Sequence, residues 1–154
     1  MLVLFAQAVF CGVVAQKATI TETSATMPTY SFGDPDPCVA PDASYYPYWR
    51  FDEFDGHKQD KQWKAVILEN DYIQVTVFPE IGGKIWGAID KTRDKAFVYY
   101  NHVVKFRDIA MRGAWTSGGI EFNFGIIGHV PTTATPVDYC IQEREDGSVA
   151  CYRF

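Results

Sequence analysis

The run from Tyr72 to Asp90, YIQVTVFPEIGGKIWGAID, constrains the fold more than any other stretch. Ile73, Val75 and Val77 alternate with Tyr72, Gln74 and Thr76. A two-residue period puts successive side chains on opposite faces of a half-buried strand. Pro79 lacks the N–H that a further ladder bond needs, so the strand stops there. Gly82-Gly83 frees the backbone for a tight reversal into a second strand, Lys84 to Asp90. Phe97 to Tyr100 reads as a third, reached across the charged loop Asp90 to Lys95. Upstream, Ala65 to Leu68 is a short apolar run before Asn70-Asp71, a pair that tolerates positive φ in a turn. No segment sustains a 3.6-residue period, and Val103 to Met111 is the best candidate for a short helix or loop. The reading is all-β.

Such a sheet needs apolar material, and the 154 residues supply it: 47% are hydrophobic and 16% aromatic. That excludes wholesale disorder and suits one domain of ordinary size. Lys and Arg number 14 against 19 Asp and Glu, a net charge of −5, which argues against a nucleic-acid groove or an anionic membrane surface as partner.

The ends of the chain carry their own expectations. Leu2 to Ala15 is apolar and uncharged, too short for a membrane-spanning helix of about 20 residues. It fits the apolar core of a signal peptide, with Val13 and Ala15 before a cut at Gln16, although no Lys or Arg follows Met1. A buried strand or helix is the alternative. Ala8 to Gly12 resembles a lipoprotein box, but Phe10 stands before Cys11 where a small residue is expected. The expected location is secreted or periplasmic, with lipid anchoring the weaker option and no integral membrane span. Residues 16–44 turn to Thr, Ser, Pro, Asp and Ala, and five of the eight prolines fall between Pro28 and Pro47, so this stretch reads as a linker or surface strap. Tyr45, Tyr46, Tyr48, Trp49, Phe51 and Phe54 follow as an aromatic cluster read as core or docking surface.

Tyr139 to Glu143 and Val149 to Arg153 form a hairpin joined by Glu145-Asp146-Gly147-Ser148, with Asp-Gly in the turn. Pairing Glu145 with Ser148 sets Gln142 opposite Cys151 and leaves Cys140 diagonal to it. That spacing is near the outer limit for a disulfide, so two buried free thiols are the equal alternative. Removal of the leader leaves Cys38, Cys140 and Cys151, an odd number in an exported chain. The chain stops at Phe154 on an apolar strand residue, and the expectation is an N-terminal piece of a longer polypeptide.

Candidate chemistry concentrates in Arg112 to Thr133, RGAWTSGGIEFNFGIIGHVPTT. Alternation there points Ile120, Phe122 and Phe124 toward a core and leaves Glu121 and Asn123 together on the opposite face. A carboxylate beside an amide, with Trp115 upstream and His129 downstream, is the inventory of a sugar site. The indole stacks on a pyranose, the polar groups bind hydroxyls, and an imidazole with a carboxylate moves protons. An ordinary solvated face with His129 in a turn is the alternative reading of the same residues. Arg112 is a candidate contact to a sugar carboxylate or phosphate, or a surface ion-pair residue. Asp52, Glu53, Asp55 and Gly56 read as a solvated turn rather than a calcium loop, since Phe54 fills a ligand place. His57 and His102 lack metal-ligand spacing, and there is no phosphate-cradling loop or nucleophile elbow. Neither a metal nor a cofactor is expected.

Tyr72 to Asp90 resembles the opening of the galactose mutarotase-like fold: a strand ending in Pro, a Gly-Gly turn, and a strand with small residues. Gly118 to His129, GGIEFNFGIIGH, is similar to the later stretch of such folds that carries a substrate-facing histidine. More narrowly, Tyr45 to Phe154 resembles a bacterial domain of unknown function that precedes tetratricopeptide repeats in larger proteins. The resemblance implies a β-supersandwich, incomplete in this chain, over residues 45–154, with a carbohydrate groove across one sheet. It implies acid–base chemistry on sugars with His129 as the catalytic histidine, and Glu121, Asn123, Arg112 and Trp115 are the substrate contacts expected from the residues themselves. The catalytic glutamate and second histidine of mutarotases come later in the chain than Phe154, so Glu121 does not inherit the base role. The expected partners are carbohydrate and the remainder of a longer polypeptide. The alternative function is a non-catalytic sugar-binding or structural module.

Overall fold

The computed structural model describes residues 17–33, 54–108, 114–123, 128–129, 131–146 and 150–153. Its strands are β1 (Thr19–Tyr30), β2 (Gln59–Glu69), β3 (Ile73–Phe78), β4 (Lys84–Asp90), β5 (Lys95–Val98), β6 (Val104–Lys105), β7 (Arg107–Asp108), β8 (Ala114–Trp115), β9 (Cys140–Glu143) and β10 (Ala150–Arg153). Among the described residues the only helical turn is the 3-10 segment Pro131–Thr133. The protein is all-β, and no described helix is long and apolar enough to cross a membrane.

A six-stranded sheet in the order β5-β4-β3-β2-β1-β6 forms the frame. Neighbours are antiparallel except β6, which runs parallel to β1 through Thr29↔Val104 and Tyr30↔Lys105. The β2–β3 reversal is held by Asn70, whose side-chain oxygen accepts from the backbone N–H of Tyr72 and Ile73 at 2.8 and 2.9 Å. The register shifts at Thr76/Val77 and at Ala88/Ile89, bulges that raise the local twist.

Both faces of the sheet bury side chains. Met27, Trp63 and Ala65 lie on one face with Phe78, Ile81, Trp86, Val104 and Phe106, the main core. Phe78 stacks on Trp86 with ring centroids 5.0 Å apart, and Phe106 meets Trp63 at 6.1 Å and Phe32 at 4.7 Å. Each such side chain contributes on the order of 1.5–3 kcal/mol when fully removed from water. Trp63 and Trp86 also satisfy their indole N–H groups, on Thr29 Oγ1 at 3.0 Å and the Asn101 carbonyl at 2.8 Å. On the other face, Val66 and Val77 pair across β2 and β3 and are buried. Glu22 shares that face, and Tyr139 Oη contacts its carboxylate, which brings the segment before β9 against the sheet. The β9–β10 hairpin continues there, tied to β1 by the Ile20 N–H, which donates to Glu143 Oε1 at 3.3 Å. The result is an incomplete sandwich.

The first two expected strands in 72–90 form, the third is Lys95–Val98 rather than Phe97 to Tyr100, and the Gly-Gly reversal occurs with Gly82 and Gly83 at φ 63 and 64°. Gly82 has a second duty. A Cβ there would stand 2.7 Å from the Thr133 backbone, and its N–H donates to the Thr135 carbonyl at 2.8 Å. The hairpin register is also as read, with Cys151 opposite Gln142; Cys140 is exposed and its thiol is free.

Three expectations need correction. Within 16–44, read as a linker or strap, Thr19–Tyr30 is a twelve-residue strand paired along nearly the whole of β2. Its Thr-rich composition suits a pleated surface as well as a linker, and the β2 ladder decides between them. The short run Ala65 to Leu68 is the end of the much longer β2, whose polar first half pairs with β1. Of Val103 to Met111, the described part is the short strands β6 and β7. From the aromatic cluster, Phe54 is partly buried against the core, and its other members lie outside the described residues, as do Cys11, Cys38 and the expected leader.

Candidate functional site

The site is a loop, 115–121, fastened to β4. Lys84, the first residue of β4, is 2% exposed; its Nζ donates to the Thr116 carbonyl at 2.5 Å and to Thr116 Oγ1 at 3.2 Å. Asn101 Nδ2 donates to the Ser117 carbonyl and Oγ at 3.2 and 3.1 Å. Beyond the loop's Gly-Gly tip, Ile120 and Ile85 exchange backbone hydrogen bonds of 2.8 and 3.1 Å, an isolated bridge. This approach demands Gly119: a Cβ there would lie 2.2 Å from the Ile85 carbonyl oxygen, and its φ is 66°.

Those fastenings bring Glu121 back onto Trp115. Trp115 Nε1 donates to Glu121 Oε2 at 2.6 Å, and Asn123 Nδ2 donates to Glu121 Oε1 at 3.2 Å. His129 closes the group. Its N–H donates to Asn123 Oδ1 at 2.5 Å, its φ is 57°, and its ring stands edge-on to Trp115 with centroids 5.7 Å apart. Nδ1 of His129, itself buried, makes an ion-pair contact with Glu121 Oε1 and no hydrogen bond among the described residues. The side chains of Glu121 and His129 are 15% and 41% exposed, so the solvent-facing part of the imidazole lies away from Nδ1.

Burial drives the electrostatics. Lys84 is pushed down to about 8 from 10.5 by desolvation, partly opposed by the negative charge of Glu121. Its ammonium lies 5.5 Å from the Trp115 ring and 5.9 Å from that of Trp86. Glu121 therefore has a cation on one side and an imidazole on the other, with both oxygens occupied. A carboxylate held in this way orients an imidazole; it is poorly placed to attack a substrate.

Four of the five residues singled out in the sequence thus meet: Trp115, Glu121, Asn123 and His129. The fifth, Arg112, lies outside the described residues, as does Phe124. Glu121 and Asn123 do share a side, but Ile120 and Phe122, expected to point into a core, are 45% and 40% exposed. Among the described residues the segment pairs with β4 through a single bridge, Ile85–Ile120, and without a ladder the pleat does not turn those side chains inward. Lys84 escaped the sequence reading. Its only signal was a charge opening an otherwise apolar strand directly after Gly-Gly. A separate open groove of about 540 Å³ lies on the opposite face of the sheet, lined in part by Glu22, Lys64, Glu80, Asp138 and Tyr139. It shares no residue with the Glu121–His129 group and holds no imidazole, and the converging side chains mark the better candidate.

Comparison with known proteins agrees with this frame. Residues 41–153 match the family described as Domain of unknown function (DUF5107). The chain is also similar in structure to a TPR-domain containing protein from Parabacteroides distasonis ATCC 8503, with a TM-score of 0.73 and 28% identity. The similarity covers 84% of this chain and 23% of that one, so the chain spans under a quarter of that protein's length.

Proposed function

The chain belongs to the Domain of unknown function (DUF5107) family, and from that premise we propose that it forms the first part of a galactose mutarotase-like, carbohydrate-active domain in a larger, exported, TPR-containing protein. His129 is the proton-carrying group. Glu121 holds its Nδ1 side, and Trp115 offers an indole wall to the apolar face of a sugar ring. The observation that carries the reading is the Glu121–His129 contact beside Trp115. It leaves the far side of the imidazole to meet a sugar oxygen, either donating a proton to a ring oxygen or accepting one from a hydroxyl.

Both oxygens of Glu121 are engaged, and among the described residues it is the carboxylate that touches His129. That favours a second reading in which this part of the domain binds sugar without turning it over. Titration of the protein with a panel of mono- and oligosaccharides, run beside anomer-interconversion and glycosidase assays, separates the two. Turnover abolished by His129→Ala supports catalysis, and binding without turnover supports the module. A protein that binds no sugar, or turns it over equally well as His129→Ala, removes the site assignment.

A further inference from the structure

Two large aromatic side chains at the end of β5 and just after it are exposed. Tyr99 is 68% exposed and Phe97 is 59% exposed. Single exposed aromatics are ordinary on a protein surface, but Tyr99 has a particular seat. A Cβ built on Gly118 would lie 3.1 Å from its Cδ1 and 3.4 Å from its Cε1, so one flank of the ring rests on a glycine backbone. Gly118 is the tip of the 115–121 loop, whose ends are the bonded pair Trp115 and Glu121. It stands three residues from each, a separation of at most roughly 10 Å along an extended chain. Asn101, two residues after Tyr99, is bonded to the neighbouring Ser117, which ties the Tyr99 segment to the loop.

We propose that Tyr99, with Phe97, is an accessory stacking platform for a sugar ring beyond the one at Trp115 and His129, so that the ligand is an oligosaccharide chain. This rests on the sugar-binding reading above and extends it. Gly118 stands within roughly 10 Å of Trp115 and of Glu121, so a short chain of rings reaches both places. The face of a phenol ring carries partial negative charge, which attracts the polarised C–H groups on the apolar side of a pyranose. A ring already immobilised on one flank loses little conformational freedom when a ligand covers the other. Tyr99 is the main contributor because Gly118 fixes it; Phe97, two residues earlier at a register shift, adds area.

The test titrates the full chain with galactose and glucose and with linear β-1,4-linked galacto- and gluco-oligosaccharides of increasing length. In the native protein, affinity rises with chain length. Tyr99→Ala loses that gain, roughly threefold to tenfold, while its affinity for the monosaccharide is retained. Tyr99→Phe keeps the gain, which separates stacking from the hydroxyl, and Phe97→Ala loses a smaller part of it. If Tyr99→Ala fails to fold by circular dichroism, the Phe97→Ala and Tyr99→Phe pair decides. His129-dependent monosaccharide binding with no dependence on length, or a length gain indifferent to Tyr99 and Phe97, overturns the platform and leaves the site reading intact. Absence of any sugar binding overturns both.

Discussion

Lys84 and Thr116, 32 residues apart, are joined by two hydrogen bonds in a space that excludes water, with Nζ 2.5 Å from the carbonyl oxygen and 3.2 Å from Oγ1. Through that contact the first residue of β4 sets the position of the loop bearing Trp115 and Glu121. A buried ammonium is a demanding way to hold a loop, since the charge loses its hydration. It is also a pH-sensitive one.

Stability should therefore rise with pH across a defined window. Lys84 titrates at about 8 in the folded chain and at 10.5 when unperturbed, because burial disfavours its charge. Between those values the unfolded chain binds more protons than the folded one, so raising the pH favours folding. The gap between native protein and Lys84→Met in urea unfolding should widen in favour of the native chain from pH 8 to pH 10.5. The raised tyrosines Tyr100 and Tyr139 cancel in that difference, being present in both proteins. A gap that stays constant with pH would show that Lys84 is not buried as a charge.

Gly119→Ala should uncouple the loop from β4. The new Cβ collides with the Ile85 carbonyl, 2.2 Å away, at a left-handed φ of 66°. Backbone strain of this kind costs about 1–3 kcal/mol, and relieving it breaks the Ile85–Ile120 bridge. The expected result is a lower melting temperature together with lost protection of the Ile85 and Ile120 amides from hydrogen exchange. Unchanged protection at both amides contradicts the clamp.

At acid pH one sensitive pair is Glu69 and Lys91. Lys91 Nζ donates to Glu69 Oε1 at 2.6 Å and Gln74 Nε2 to Oε2 at 2.9 Å, and these bonds hold the Glu69 carboxyl below 4.5. A depressed carboxyl contributes stability above the unfolded value and loses it as pH falls through the folded one. Native protein and Glu69→Gln should thus differ in urea midpoint at pH 6 and converge below 4.5. The pair is exposed and salt-screened, so the difference should be small and shrink in high salt.

What the sequence reveals follows the range of the interactions. Ile73, Val75 and Val77 announce β3 because alternation is local, and β9 and β10 pair in the register that the Asp-Gly sequence predicts, with Gln142 opposite Cys151. Thr19–Tyr30 hides its strand because half its residues stay exposed, divided between both faces, so no two-residue contrast in polarity marks it and a linker's composition serves equally well. Ile120 and Phe122 mislead because a period-2 pattern predicts faces only where a ladder enforces the pleat, and one bridge does not. Lys84 is invisible for a different reason. Its burial and its partner are created by a loop more than thirty residues later, and nothing around it in the chain says that Thr116 will cover it.

The sharpest separation of orientation from binding comes from Glu121→Gln. The amide keeps an oxygen to accept from Trp115 Nε1, now 2.6 Å away, and preserves the shape of the loop. It removes the negative charge facing His129 Nδ1 and Lys84 Nζ. If Glu121 works by orienting the imidazole, turnover of a bound sugar should fall by roughly a hundredfold or more, the usual scale of general acid–base assistance, with sugar affinity nearly unchanged. Trp115→Ala should do the reverse, weakening binding through loss of the stacking wall. Parallel loss of affinity and turnover in Glu121→Gln would mean that Glu121 contacts the sugar directly and that His129 is merely its neighbour. Measuring KM and kcat separately on the same sugar distinguishes these outcomes, because an interaction made only in the transition state leaves KM untouched.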